Sequence, residues 1–243
     1  MRFWIPFILL SPLLLWQARR TRATTPRLPE ATGDAFGLAG AQQGPPLRLL
    51  VVGESTAAGV GVRYHHQGLA AHTARALAQR HQRPVHWHTL GVNGIRAAAL
   101  TEHLRHHPIR EPADFIIISL GVNDTTGLTP ARRYRRHLQG LIHALRANDI
   151  MPVYLLAVPP MQYFTALPAP LRHLLGHRAT RLDREQQALA RTMNGVQHLA
   201  YPINNAPDCL AEDGYHPSEK GYRYIGEQVA ERLLKDRRAG RKI

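Results

Sequence analysis

Short apolar runs that stop at glycine or proline, alternating with stretches of helical periodicity, constrain this chain most. Residues 47–52 form the first run and end at Gly53. Residues 115–120 are β-branched and apolar and are followed by Gly121, and residues 153–158 are stopped by Pro159 and Pro160. Residues 86–90 and 196–201 are two further candidate strands. Between the runs, Leu69, Thr73, Ala76 and Leu77 share one helical face. Tyr134, Leu138, Leu141, Ile142 and Leu145 do the same after Pro130, as do Leu182, Leu189 and Met193. A last helix starts near Ser218 and carries Tyr222, Ile225, Val229 and Leu233. Near-continuous apolar strands are buried on both faces, which suits parallel pairing through helical crossovers. Right-handed crossovers then predict an α/β fold: a three-layer αβα sandwich around a flavodoxin-like, five-stranded parallel sheet. The 243 residues, 44% of them apolar, hold one such domain plus a short appendage.

The appendage is N-terminal. Residues 3–16 are an almost unbroken apolar run, preceded by Arg2 and followed by Arg19, Arg20 and Arg22. The run is shorter than the ~20 residues of a membrane-spanning helix, and no small-residue cleavage site ends it. Residues 1–22 are therefore expected to be an uncleaved membrane anchor or interfacial segment. The positive charge beyond it would keep the main domain on the cytoplasmic side. A signal peptide, cleaved on export, is the competing expectation. Residues 23–46, rich in Thr, Pro, Gly and Ala, read as a linker. Residues 47–236 form the main domain and residues 237–243 a basic tail.

Thirty-one Lys and Arg face 17 acids, a formal charge of +14. The cations are spread along the chain, so a nucleic-acid partner is not expected. Clusters occur only at Arg19–Arg20–Arg22, at Arg132, Arg133, Arg135 and Arg136, and in the tail at Arg237, Arg238, Arg241 and Lys242. Cys209 is the single cysteine, which excludes an internal disulfide and reads as a buried thiol. His103 with His106 or His107, and His173 with His177, have ligand spacing on a helix, but no His-Glu-x-x-His or Cys-His cluster accompanies them. No metal or other cofactor is expected.

Ligands of such sheets bind beyond the carboxyl ends of the strands. Four polar, glycine-punctuated segments belong there: Gly53-Glu54-Ser55, Gly91-Val92-Asn93-Gly94, Gly121-Val122-Asn123-Asp124, and Asp213-Gly214-Tyr215-His216 before the last helix. A serine hydroxyl needs a base, and the base needs an orienting acid. Ser55 can be the nucleophile, His216 its base, and Asp213 the acid that fixes the imidazole. The Ser55 and Gly94 N–H groups and the Asn123 amide can then receive an oxyanion. Residues 159–180, apolar and Pro-rich, can be a flap over an acyl group, a membrane-facing surface or ordinary packing.

With these blocks in this order, the chain resembles the SGNH hydrolases, also called GDSL esterases and lipases. The resemblance spans roughly residues 47–236. It implies a Ser55–His216–Asp213 triad, an oxyanion hole of Ser55, Gly94 and Asn123, and hydrolysis of a small-molecule or lipid ester through an acyl-enzyme. The family's usual Asp before the nucleophile is Glu54 here. Gly91 is the alternative to Gly94, although a turn-forming role suits it better. The competing class is a non-enzymatic basic α/β module that binds anionic lipid or nucleic acid.

Overall fold

The computed structural model describes residues 10–40, 44–106, 109, 113–146, 151–202 and 206–238. Residues 3–9 of the apolar run, His107, and Arg241 and Lys242 of the tail lie outside them, as do the side chains of Arg237 and Arg238.

In chain order the main elements are α1 (Ser11–Thr24), β1 (Phe36–Ala39), β2 (Leu47–Gly53), α2 (Leu69–His81), β3 (Val85–Gly91), α3 (Ala97–His106) and β4 (Phe115–Ser119). There follow α4 (Val122–Thr126), α5 (Ala131–Arg146), β5 (Val153–Leu156), α6 (Leu171–Thr192), β6 (Val196–Leu199) and α7 (Glu219–Arg238). The sheet order is β1-β3-β2-β4-β5-β6. Five strands, β2 to β6, are parallel and have the flavodoxin-like order, as expected. The sheet nevertheless has six strands, not five. Strand β1 pairs antiparallel with β3 and lies in the stretch read as a linker.

Side chains alternate across the sheet. Leu50, Val52, Ile116 and Ile118 point to one layer, where they meet α3, α5 and α6. Leu49, Val51, Phe115 and Ile117 point to the other, against α2 and α7. Both faces are thereby closed, which explains why the strands read as continuous apolar runs.

Register sets the height of the site. Gly53 pairs with Gly91 on one side and with Ser119 on the other, and Ser119 with Leu156. The carboxyl ends of these strands stop at one level. The glycines let them converge: a Cβ on Gly53 would lie 2.1 Å from the Ser119 carbonyl oxygen, and one on Gly91 2.0 Å from the Ala58 nitrogen. Gly91 thus packs under the turn that carries Ser55, which is a structural duty.

The apolar N-terminal run also differs from an independent anchor over its described part. Helix α1 places Leu14 in the core cluster and buries Gln17. Gln17 Nε2 donates to the Ala169 carbonyl at 2.6 Å, and its Oε1 accepts the Leu171 N–H at 3.2 Å. Among the described residues no helix is long and apolar enough to cross a membrane.

Gly91→Ala drives a methyl group into backbone that cannot rotate away. It should lower unfolding free energy by about 1–3 kcal/mol, read as a reduced urea midpoint at unchanged slope. An unchanged midpoint would mean that the β3 end is not packed as described.

Candidate active site

Residue Ser55 follows β2 in a tight turn. The Ala57 and Ala58 N–H groups donate to the Glu54 carbonyl, at 2.9 and 3.0 Å, and the Val60 N–H donates to the Ser55 carbonyl at 3.0 Å. The turn closes on the loop before α7 at Gly61 (φ +101°), where a Cβ would lie 2.3 Å from the Pro217 carbonyl oxygen and 3.4 Å from His216 Cβ. From α7 itself, the buried Tyr222 hydroxyl donates to the Val60 carbonyl at 2.6 Å. These contacts bring the segments of Ser55 and His216 together. Ser55 is 7% exposed, and its Oγ makes no hydrogen bond among the described residues.

Asp213 and His216 form a closely hydrogen-bonded pair. His216 Nδ1 lies 2.5 Å from Asp213 Oδ2. Asp213 Oδ1 accepts the Tyr215 and His216 N–H groups at 2.9 and 3.0 Å. Burial pushes the Asp213 carboxyl up, but these donors and the imidazole charge outweigh it and hold it below its usual range. Asp213 therefore stays a carboxylate, and an Nδ1–H directed at it leaves Nε2 as a base.

Two of the proposed oxyanion donors are backbone groups. Neither the Ser55 N–H nor the Gly94 N–H is used in a hydrogen bond among the described residues. Gly94 has φ +80°, and a Cβ there would meet nothing within 4 Å. The conformation favours glycine, and the space beside it is open. The third donor, Asn123, is held by Glu54. The buried Glu54 carboxyl accepts the Val122 N–H (2.8 Å), the Asn123 N–H (2.9 Å) and Asn123 Nδ2 (2.6 Å). One amide hydrogen of Asn123 is spent on Glu54, which leaves the other for a ligand. The longer acid at position 54 thus ties the turn after β2 to the turn after β4.

Other supports were invisible in the sequence. Arg178, buried on α6, donates to the carbonyls of Thr125 and Thr129 on either side of the α4 exit. Gln186 Nε2 and the Tyr134 hydroxyl both donate to the Leu120 carbonyl, at 3.1 and 3.0 Å. Glu30, in the stretch read as a linker, accepts the Asn93 N–H at 2.6 Å, next to Gly94. Residues 159–180 brace the His216 loop through Phe164, whose ring meets Tyr215 edge-on at 4.9 Å.

Among the described residues no group of three or more His, Cys, Asp or Glu side chains is placed to hold a metal. His106 instead pairs with Glu102 at 3.2 Å. Cys209 is a buried free thiol.

Burial pushes Glu54 up to about 7 from its ordinary 4.5, against the pull of the Asn123 and Val122 donors and with a smaller push from Asp124. A raised folded value stabilises below the unfolded value and is lost as pH rises through the folded one. The wild-type chain should therefore lose up to roughly 3 kcal/mol relative to Glu54→Gln between pH 4.5 and pH 7. Denaturant titrations at several pH values measure the difference, and a flat difference would show Glu54 already ionised at the acid end.

Residues 51–224 match the model of the GDSL-like Lipase/Acylhydrolase family. The chain is 28% identical over 227 residues to the GDSL-like esterase Rv1075c of Mycobacterium tuberculosis, covering 86% of this chain and 72% of that protein. A lipase/acylhydrolase from Enterococcus faecalis has a similar structure, with TM-score 0.61 and 20% identity over 79% of this chain and 96% of that one. The carbohydrate acetylesterase Est24 from Sinorhizobium meliloti gives TM-score 0.56 and 19% identity over 78% and 99%. The chain belongs to the GDSL-like lipase/acylhydrolase family, and with it to the ester hydrolases.

Proposed function

We propose that Ser55, His216 and Asp213 are the catalytic triad and that Ser55, Gly94 and Asn123 form the oxyanion hole. The observation that carries this reading is the Asp213–His216 pair at 2.5 Å, in one cavity with Asn123 and Gly94. Ser55 Oγ attacks the ester carbonyl while His216 Nε2 takes its proton. The tetrahedral oxyanion accepts the Ser55 and Gly94 N–H groups and the free Asn123 amide hydrogen. The C–O bond to the alcohol breaks, and the alcohol departs with the proton from His216. Water, deprotonated by the same imidazole, then cleaves the acyl-enzyme to the acid. Each step is complete without a metal or cofactor.

The net charge does not favour the basic-module alternative. Several arginines are spent on carbonyl oxygens within the fold: Arg83 on Pro45, Arg146 on Met151, Asn194 and Gly195, and Arg232 on Ala200. They staple loop ends and do not build one cationic face.

We also propose that α1 touches a membrane interface and does not span it. Leu13, Leu15 and Trp16 are 42%, 57% and 55% exposed, with the exposed Arg19, Arg20 and Arg22 alongside. Arg20 lies over the Trp16 ring at 5.2 Å. Such a face suits headgroup depth.

Ser55→Ala should abolish turnover of p-nitrophenyl esters, and full activity in that variant would refute the triad. Asn123→Ala should lower kcat by roughly 10²–10³ at retained fold. Flotation with anionic vesicles should carry the wild-type chain and leave Trp16→Glu behind. Equal flotation of both would remove α1 from the interface.

A further inference from the structure

Helix α1 lies outside the region matched by the family, residues 51–224, yet it borders the proposed catalytic cavity. That cavity, of about 870 Å³, begins at His216, Asn123 and Gly94. Leucines line it from two elements, Leu14 and Leu15 from α1, and Leu167, Leu171 and Leu175 from the start of α6 and the loop before it, with Ser11, Thr21, Arg22, Thr25, Arg27 and Arg96 also in the lining. The space is at the upper end of what holds a small organic ligand.

The walls are joined by one buried amide. Gln17 bonds the Ala169 carbonyl and the Leu171 N–H, both at the entry to α6. An amide with donor and acceptor both satisfied by backbone fixes distance and rotation together. The same helix therefore presents Leu14 to the core and Leu15 to the cavity, with Gln17 as the hinge point between α1 and α6.

What fits such a slot is set by its chemistry. The reacting carbonyl must lie at the polar end, against Asn123 and Gly94. The apolar walls beyond offer no hydrogen bonds from their leucine side chains. An alkyl chain laid along these leucines gains from burial. We propose that the chain of a medium-length fatty acyl ester lies between α1 and α6, so that α1 acts as a built-in wall that selects acyl length. This inference rests on the reading of Ser55 and His216 given above.

The test compares kcat/KM on p-nitrophenyl octanoate and p-nitrophenyl acetate in the full-length chain. Wild type should favour octanoate by tenfold or more, since each buried methylene adds to transition-state binding. Leu15→Asp, at an exposed position that folding tolerates, should cut the octanoate-to-acetate ratio by tenfold or more, and Leu15→Met should restore it. Gln17→Ala, which frees α1, should lower the ratio in the same direction. A wild-type preference for acetate, or a ratio unmoved by Leu15→Asp, overturns the acyl wall while leaving the hydrolase reading intact. Wild-type inactivity on both esters would sink that reading, and the wall with it.

Discussion

The carboxyl of Glu54 holds the site together. It sits one residue before the proposed nucleophile and accepts three N–H groups from the turn that carries Asn123. Without this tie, the turns after β2 and β4 would be joined near the site mainly by the Glu54 N–H bond to Ser119. Its burial is costly, and the raised proton affinity of the group reports that cost. Three donors offset part of it, and they do so by fixing the Asn123 amide proposed to face the oxyanion. Stability is given up where preorganisation is gained.

Around this tie the supports converge from every layer. Gly91 packs from the neighbouring strand beneath the Ser55 turn. Tyr222 reaches across from α7 to the far end of the same turn. On the opposite face, Arg178 and Gln186 of α6 hold the backbone before and after α4. The loop of Asp213 and His216 is self-sufficient by comparison: Asp213 satisfies its own loop's N–H groups and the imidazole at once. The Asp213–His216 pair and the Asn123 turn, anchored elsewhere, line one cavity at the rim, as expected for a parallel sheet.

The parallel strands were legible because burial on both faces leaves no polar residue to interrupt them. The turns that carry Ser55, Gly94, Asn123 and the Asp213–His216 pair were legible as turns because they need glycine or short polar side chains. Strand β1 was not: its Phe-Gly-Leu-Ala is four residues long, half exposed, and set in a Pro- and Gly-rich stretch. Glu30, Arg178 and Gln186 left no local signal, since their partners lie 49 to 66 residues away in the chain. The N-terminal run showed its apolar character but not its destination. Leucines that read as membrane-seeking partly face the core and the cavity, and only the fold decides between those environments.

In the proposed reaction, Ser55 Oγ is the atom that becomes acylated. A fluorophosphonate ester traps such a serine, and peptide mapping of the labelled chain by mass spectrometry locates the adduct directly. A triad on Ser55 gives a single adduct on the peptide containing Ser55, lost when His216 is replaced by alanine. An adduct on another residue, or ester turnover by a chain that the probe leaves unlabelled, would contradict it.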